Sequence, residues 1–363
     1  MLFDIILISQ DDYSLRCESL IQSLASTIPV QSSNSIELQE DVSPELELSG
    51  ITIGNYPLAV HHADGIFSTI YKARTCYNGV KKLVALKVTS PNSMLPPHDS
   101  VKEVQILAEQ QCDSIIPLIE SFQLAGGKLV LVFPFMPMTL EAYFQDSAYR
   151  LSQAKSHVKD LLKALAYIHT KNIIHRDVKP TNVLLSSASG PAYLADFGIA
   201  WCPGAEDVDE KITDVGTTSY RAPELLFGNT AYGSTLDMWS AGCVVAELMT
   251  VNHAPVFDSG PLGSDLGLIL SIFQTLGTPD ITTWPEAASF RDWGKMNFKI
   301  FNPKQWEKVL PVSSVAGREL VSHLLVYQSS DRYTASAVSK QEKSSRLMSI
   351  RPYHMLSCQT RII

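Results

Sequence analysis

The sequence His175-Arg176-Asp177-Val178-Lys179-Pro180-Thr181-Asn182, followed fourteen residues later by Asp196-Phe197-Gly198, decides the fold of this 363-residue chain. Asp177 is a candidate base, and Asn182 and Asp196 are candidate metal ligands, with a lysine between the base and the first ligand. Carboxylate and amide oxygens suit Mg²⁺, and a well-placed carboxylate can accept a hydroxyl proton. The spacing is therefore the one that phosphoryl transfer to a hydroxyl group needs.

Each short motif taken alone is equally compatible with a solvated surface turn, so the order of several motifs matters more than any one of them. Val84-Ala85-Leu86-Lys87 precedes the first stretch, and Glu103 follows Lys87 by sixteen residues in a helical pattern. Ala222-Pro223-Glu224 closes the segment that opens at Asp196. Over about residues 56 to 338 the chain resembles the eukaryotic protein kinases.

The resemblance implies an α+β fold with two lobes. We expect a small β-rich N-lobe over residues 56–135 and a larger helical C-lobe over residues 137–338, which together form a kinase domain at 56–338. Residues 1–55 are rich in Ser, Gln, Asp and Glu, which favours a poorly ordered extension. Residues 339–363 form an atypical tail that departs from the usual end of such kinases.

The catalytic residues follow from the resemblance. Asp177 is expected to accept the proton of the substrate hydroxyl, and Lys179 to offset charge on the transferring phosphoryl group. Thr217 is expected to hold these two side chains in place. A lysine at position 179 is typical of kinases that act on Ser or Thr. Asn182 and Asp196 are expected to bind Mg²⁺, so the implied cofactors are ATP and Mg²⁺.

The ATP pocket is expected to centre on Lys87, which contacts the phosphates and is held by an ion pair with Glu103. Pro134 lacks an amide hydrogen but keeps its carbonyl acceptor, so the connection between the lobes can still bind adenine there and at Met136. The simpler alternatives are that Glu103 is an exposed surface residue and that the apolar positions belong to the ordinary hydrophobic core. The remaining positions that the resemblance assigns to this pocket are Gly65, Ile70, Ala85, Phe133, Pro134, Met136 and Leu184.

The glycine-rich loop of the family is eroded in this chain. The expected pattern of three glycines is Ala63-Asp64-Gly65-Ile66-Phe67-Ser68 here, so only Gly65 keeps the backbone freedom that brings the chain close to phosphates. This loss favours a non-catalytic scaffold with a kinase fold. The retained lysine, base and metal ligands favour an active enzyme.

Three further stretches resemble the cyclin-dependent branch of the CMGC group. They are Ser219 to Gly228, Tyr232 to Cys243 and Ile272 to Pro279. The resemblance also implies that Asp237 anchors the backbone of the catalytic loop and that Arg332 pairs with Glu224.

Several regulatory features of that branch are replaced. The stretch His98 to Val104 lacks the usual cyclin-contacting sequence, and Ile66-Phe67 stands where an inhibitory Thr-Tyr pair is phosphorylated. The activating Thr position falls on Ile212, beside Thr213. We therefore expect no obligatory cyclin.

The phosphate on the activating Thr is held in that branch by three basic side chains, whose matching positions here are Lys102, Arg176 and Trp201. One cation is thus lost. The nearby acidic run carries Glu206, Asp207, Asp209 and Glu210. Its carboxylates either stand in for the phosphate or form a solvated acidic loop.

These features resemble fungal single-subunit kinases that phosphorylate the activation loop of other cyclin-dependent kinases. Gly216 lies where the family usually has a constrained residue that favours proline after the phosphoacceptor, and glycine there relaxes the backbone. A proline-directed kinase and a weakly active pseudokinase scaffold remain the alternatives.

Composition narrows the partners. A net charge of −8 with only sparse lysine pairs argues against nucleic acid, and the apolar start of the chain is too short to cross a membrane. The six cysteines are scattered without a Cys-x-x-Cys pair, which is typical of a reducing compartment. We expect a monomer in the nucleus or the cytoplasm that acts on protein substrates.

Overall fold

The computed structural model describes residues 50–338 except 78–79, 147–148, 205–206 and 262. The strands in this part of the chain are β1 (Ile51–Ile53), β2 (Tyr56–Asp64), β3 (Ser68–Tyr77), β4 (Val80–Thr89), β5 (Glu120–Gln123), β6 (Leu129–Pro134), β7 (Met138–Thr139), β8 (Val183–Leu185) and β9 (Ala192–Leu194). The α-helices are α1 (Ser100–Ala108), α2 (Leu140–Phe144), α3 (Leu151–Thr170), α4 (Pro223–Leu226), α5 (Thr235–Glu247), α6 (Asp265–Leu276), α7 (Trp306–Val309) and α8 (Val315–Leu324). None of the helices described here is long and apolar enough to cross a bilayer.

The N-terminal lobe is built on a six-stranded antiparallel sheet with the order β1-β2-β3-β4-β6-β5. β3 and β4 form the hairpin that the sequence predicts, although the turn residues 78–79 lie outside the described residues. Every residue of β6 is buried, because this strand lies inside the sheet between β4 and β5. The α+β fold predicted from the motifs is confirmed.

The sheet begins earlier than the sequence predicted. β1 lies within the range assigned to the extension, yet Ile51 pairs with Ala59 and Ile53 pairs with Tyr56. Ile53 and Tyr56 are buried in the small core on one side of this sheet. Burial of these apolar side chains therefore makes residues before 56 part of the folded domain. Residues 1–49 and 339–363 lie outside the described residues.

Helix α1 carries Glu103 and is fixed at its start by Asp99. The Oδ1 atom of Asp99 accepts hydrogen bonds from the amides of Val101 (3.0 Å) and Lys102 (2.9 Å), which is the usual cap of a helix N-terminus. The amide of Asp99 donates to the carbonyl of Gly198 at 2.8 Å. The beginning of α1 is therefore tied directly to the segment that follows Asp196.

The C-terminal lobe is helical and encloses the main core. Helix α5 is buried along its whole length except its first residue, and it packs against α8. Arg332 and Glu224 form a fully buried ion pair through two contacts of 2.8 and 3.2 Å, as the resemblance implied. This pair holds the short helix α4 against the end of the lobe.

Candidate active site

A cavity of about 630 Å³ lies between the N-terminal sheet and the C-terminal lobe. Its wall includes residues of both lobes, such as Ile70 and Ala85 on the sheet and Leu184 on β8. The residues that the sequence assigned to the ATP pocket all line it, namely Gly65, Ile70, Ala85, Lys87, Glu103, Phe133, Pro134, Met136 and Leu184. The predicted metal ligands Asn182 and Asp196 line the same cavity.

Other residues of the cavity wall were not predicted from the sequence. His62 lies on β2 and contacts the ring of Phe135 edge-on, with the ring centroids 5.2 Å apart. Two more, Thr181 and Ala195, are direct neighbours of motif residues, so their proximity in the sequence was a usable signal. Ile116 gave no such signal, because only the fold brings its loop to the cavity. Ala63, Asp64 and Ser68 of the eroded glycine-rich loop also line the cavity, and the other residues that were not predicted are Phe135, Pro137, Met138, Thr139 and Ala142.

Lys87 joins two carboxylates from different parts of the chain. Its Nζ atom lies 2.8 Å from each carboxylate oxygen of Glu103 and 2.8 Å from Oδ1 of Asp196. Lys87 lies on β4 between Leu131 of β6 and Ile70 of β3, so its backbone is fixed in the middle of the sheet. The predicted ion pair between Lys87 and Glu103 is therefore present in the structure.

Electrostatics in this cluster favour a charged lysine and a charged Asp196. Lys87 lowers the pKa of Asp196 to about 2. Burial alone would lower the pKa of Lys87, but the charges of Asp196 and Glu103 outweigh burial and raise it. Burial raises the pKa of Glu103, and Lys87 opposes that shift. Asp196 is therefore ionised at neutral pH and can offer a negative oxygen to a cation.

The three predicted catalytic side chains meet in one hydrogen-bonded group. Lys179 Nζ lies 2.6 Å from Thr217 Oγ1 and 2.8 Å from Asp177 Oδ2. The Thr217 hydroxyl donates to Asp177 Oδ1 at 2.8 Å. These contacts fix the orientation of the Asp177 carboxylate, as general base catalysis requires.

The backbone of the catalytic loop is strained, and a buried carboxylate holds it. Arg176 has a φ of +68° and Asp196 a φ of +64°, which lie in the left-handed region that residues other than glycine rarely adopt. The two oxygens of Asp237 accept hydrogen bonds from the amides of His175 and Arg176, each at 2.9 Å. His169 Nε2 lies 2.8 Å from the same carboxylate. Asp237 thus anchors the loop, as the resemblance implied.

The two predicted metal ligands suit Mg²⁺. The side-chain nitrogen Nδ2 of Asn182 donates to the backbone carbonyl of Asp177 at 2.8 Å and to Asp177 Oδ2 at 2.9 Å. Because the nitrogen makes both bonds, the amide oxygen is the atom that Asn182 can offer to a cation. Asp196 adds a carboxylate, and such hard oxygen donors fit Mg²⁺ held between protein and phosphates.

The comparison with known families agrees with this geometry. The sequence model of the protein kinase domain matches residues 63–342, which is most of the chain. The chain belongs to the protein kinase family. Kinases of this family transfer phosphate from ATP to proteins, and Lys87 and Asp196 on the cavity wall, with Asp177 bonded to the neighbouring Asn182, form the arrangement that this reaction needs.

Curated relatives refine the position within the family. A serine/threonine-protein kinase named csk1 from Schizosaccharomyces pombe is 37% identical over 273 residues, which cover 74% of this chain and 87% of the relative. Human cyclin-dependent kinase 20 is 34% identical over 277 residues, covering 75% of this chain and 78% of the relative, and the mouse protein of that name is 33% identical. The chain is an ATP-dependent Ser/Thr protein kinase of the cyclin-dependent-kinase-like type.

The kinase reaction assigns a task to each of these side chains. Asp177 lies where it can take the proton from the acceptor hydroxyl, and Lys179 places positive charge beside it. Lys87 provides a cation for the phosphates, since Glu103 keeps it from turning away. Asn182 and Asp196 would hold Mg²⁺, which neutralises phosphate charge when bound.

The predicted regulatory residues lie around the catalytic loop. Lys102 and Arg176 are buried, and Arg176 donates to the carbonyl of Ile199 at 2.6 Å and to the hydroxyl of Tyr232 at 3.0 Å. Thr213 is half-buried, and its carbonyl accepts a hydrogen bond from Arg221.

The acidic run is only partly described. Asp207, Asp209 and Glu210 are exposed, and the Asp207 carboxylate accepts a hydrogen bond from the amide of Asp209 at 2.9 Å. Glu206 lies outside the described residues. That a carboxylate of the acidic run replaces the activating phosphate against Arg176 and Lys102 therefore stays a prediction.

Proposed function

We propose that this kinase works without a cyclin and phosphorylates the activation loop of cyclin-dependent kinases. The observation that carries the first part is the burial of α1, the helix on which a cyclin would act. Seven of its nine residues are buried, including Ser100, Val101 and Lys102 at its start. A helix that awaits a partner normally keeps an apolar face in solvent.

The active position of α1 already exists in the chain by itself. Val101 has only 3% of its surface exposed, and Glu103 has 1%. The bonds from Asp99 to Gly198 and from Lys87 to Glu103 hold both the start of the helix and its glutamate. A cyclin would therefore have little left to organise in this region.

The inhibitory phosphorylation of the cyclin-dependent branch has no counterpart at its usual place. Ile66 is 84% exposed, and Phe67 packs against His98 with ring centroids 4.6 Å apart. Neither side chain has a hydroxyl that can accept phosphate. This supports an enzyme that stays active once it has folded.

The proposed substrate is supported by the absence of a Thr at the position of the activating phosphate in this chain. An enzyme that adds the activating phosphate to other kinases is most useful if it does not need that phosphate itself. Ile212 stands at the position of the activating Thr, so this position has no hydroxyl that could carry that phosphate, although Thr213 is adjacent. The likeness to a fungal Ser/Thr kinase and to cyclin-dependent kinases supports the same proposal.

A proline-directed kinase is the second candidate, and the backbone at Gly216 favours it. Gly216 has a φ of +83°, and a Cβ atom there would lie 3.1 Å from the carbonyl oxygen of Arg176. The glycine adopts a left-handed conformation here, whereas the sequence suggested a relaxed backbone. Turnover of two peptides that differ only in Pro or Ala after the acceptor Ser distinguishes the two candidates.

The main test is phosphate transfer by the purified chain onto a catalytically inactive cyclin-dependent kinase, without added cyclin. The controls are the Asp177→Asn variant and a substrate whose activation-loop Thr is replaced by Ala. We expect transfer that requires both Asp177 and that Thr. Transfer to a general basic protein but not to the kinase substrate would reject the proposed substrate, and activity that appears only with cyclin would reject cyclin independence.

A further inference from the structure

Lys211 is a buried lysine in the segment between Asp196 and Glu224, outside every motif that the sequence singled out. Only 3% of its surface is exposed. Its Nζ atom lies 5.1 Å from the ring centroid of Trp201 and 5.2 Å from that of Tyr232, and it also donates to the carbonyl of Val208. Two aromatic faces and a carbonyl therefore contact one ammonium group, and each of these contacts attracts a cation.

The position of this cage is informative, because Trp201 stands at one of the three places where related kinases carry a basic side chain. We propose that Lys211 replaces the cation lost at position 201 and acts as the positioning residue that holds the activation segment in its active conformation. Lys211 lies ten residues further along the chain and places its ammonium group over the ring at position 201. The ring of Trp201 contacts its ammonium group.

The cage is bonded to the residue that leads into the catalytic loop. The amide of Trp201 donates to the carbonyl of Ile174 at 2.8 Å, and the amide of Ile174 donates back to the carbonyl of Trp201 at 2.9 Å. Ile174 directly precedes His175 and Arg176. One wall of the cage is thus fixed relative to the catalytic base.

The second wall, Tyr232, connects the activation segment with the arginine next to that base. Its hydroxyl donates to the carbonyl of Ile212 at 2.6 Å and accepts from Arg176 at 3.0 Å. Tyr232 is itself buried, with 3% of its surface exposed. The residue that contacts Lys211 therefore also contacts both the segment and the catalytic loop.

Backbone hydrogen bonds dock the same stretch of the segment. The amide of Lys211 donates to the carbonyl of Thr230 at 3.0 Å, and the hydroxyl of Thr230 donates to the carbonyl of Asp209 at 2.6 Å. Six residues after Lys211, Thr217 reaches the Asp177 carboxylate. Docking Lys211 thus shortens the free length of chain that precedes Thr217 and restricts where that hydroxyl can lie.

A buried ammonium is costly unless its surroundings compensate for lost water. The cage therefore gives Lys211 a strong preference for the docked segment, because an undocked segment would separate Lys211 from Trp201 and Tyr232. The preference needs no phosphate. This inference rests on the Ser/Thr kinase activity and not on the identity of the proposed substrate.

The test uses the full chain and myelin basic protein as a general substrate, after treatment with a protein phosphatase that is then removed. Lys211→Met keeps the length of the side chain but removes the charge, and Lys211→Arg keeps the charge. Lys299→Met is the matched control, because Lys299 also lies over an aromatic ring (Phe301, 5.4 Å) but is exposed and remote from the cleft.

We expect Lys211→Met to lower kcat about tenfold, to leave the KM for ATP within about twofold, and to speed proteolytic cleavage between residues 203 and 213. Lys211→Arg should recover at least about half of the activity, and Lys299→Met should behave as the wild type. Unchanged kcat and cleavage in Lys211→Met would overturn the proposal. So would a loss of kcat that Lys211→Arg does not recover.

If Lys211→Met does not fold, Trp201→Leu provides the second test, since it keeps an apolar side chain but removes the ring. The expected result is the same loss of kcat with a retained KM for ATP. Activity within about twofold of the wild type in a folded Trp201→Leu protein would overturn the proposal. Failure to phosphorylate a cyclin-dependent kinase, with full activity on myelin basic protein, would affect only the substrate proposed above.

Discussion

Lys87 and Lys211 are two largely buried lysines, and they differ in the contacts that the structure shows for them. Lys87 contacts the carboxylates of Glu103 and Asp196, whereas Lys211 contacts the rings of Trp201 and Tyr232 and a backbone carbonyl. Carboxylates bring full charge, lose much hydration on burial and can exchange partners. Aromatic faces bring no net charge and lose little hydration on burial.

The difference matches the tasks of the two sites. Lys87 borders the nucleotide cavity, where its partners must also deal with phosphates and a metal ion. Lys211 lies in the activation segment, where a constant contact is more useful than an exchangeable one. Carboxylate contacts therefore suit the lysine beside the nucleotide cavity, and the ring contacts of Lys211 suit a fixed position in the segment.

The strongest way to separate these tasks is Lys87→Met. It leaves the Glu103 and Asp196 carboxylates together without the cation that both contact, so we expect kcat/KM for phosphate transfer to fall at least about 100-fold. Lys81→Met, an exposed lysine on the same strand, is the control and should change little. A loss smaller than that of Lys211→Met would break the comparison.

Glu247 sharpens the comparison because it is a buried charge whose side chain bonds to a neutral group. Burial raises its pKa to about 7, and the hydroxyl of Tyr220 donates to it at 2.7 Å. The folded state therefore binds a proton more readily than the unfolded state, whose carboxyl has the ordinary value of 4.5. Stability should decrease as the pH rises from about 4.5 through 7.

The matched experiment is denaturant unfolding of the wild type and Glu247→Gln at pH 5 and pH 8. Relative to the wild type, the variant should gain about 1–2 kcal/mol in free energy of unfolding between the two pH values, because glutamine cannot ionise. An equal difference at both pH values would show that burial of this carboxyl costs nothing.

A substitution in the eroded glycine loop tests whether an aromatic contact also takes the place of lost family residues in the N-terminal lobe. Because Phe67 packs against His98, which directly precedes the cap of α1, we expect Phe67→Ala to release the loop and raise the KM for ATP about fivefold. Ile66→Ala is the control, since Ile66 is exposed. An unchanged KM for ATP in Phe67→Ala would restrict aromatic replacement to the activation segment.

The smallest expected effect separates the ring of Tyr232 from its hydroxyl. Tyr232→Phe keeps the face that contacts Lys211 but loses the bonds to Arg176 and Ile212, so we expect kcat to fall only about threefold. Tyr71→Phe on β3 serves as the control substitution. A loss as large as that of Lys211→Met would mean that the hydroxyl, and not the ring, carries the contact between segment and loop.

The catalytic centre was predictable because its residues lie at fixed distances along elements of regular geometry. Lys87 on a central strand, Glu103 on the next helix and Asp196 after a short strand can meet only if the sheet and helix form, and both patterns are visible in the sequence. The start of the sheet at Ile51 was missed, because a three-residue strand gives little periodic signal.

The nucleotide cavity was predictable in part for the same reason. Motif neighbours such as Ala195 could have been included, but Ile116 reaches the wall through a loop whose path depends on packing. His98 was noted only as part of a changed cyclin-contacting stretch. Its contact with Phe67 depends on how the loop before α1 folds back over the cleft.

The ordered motifs with fixed spacing were enough to predict the kinase fold and to name the lysine–glutamate pair and the candidate base and metal ligands that the structure brings together. Only the tertiary structure decided that α1 is buried and that Lys211 lies over Trp201 and Tyr232. Cation–π contacts have no fixed spacing, and burial depends on what the whole chain packs against a surface. The loss of a cation at position 201 was visible in the sequence, but its replacement from position 211 required the folded activation segment.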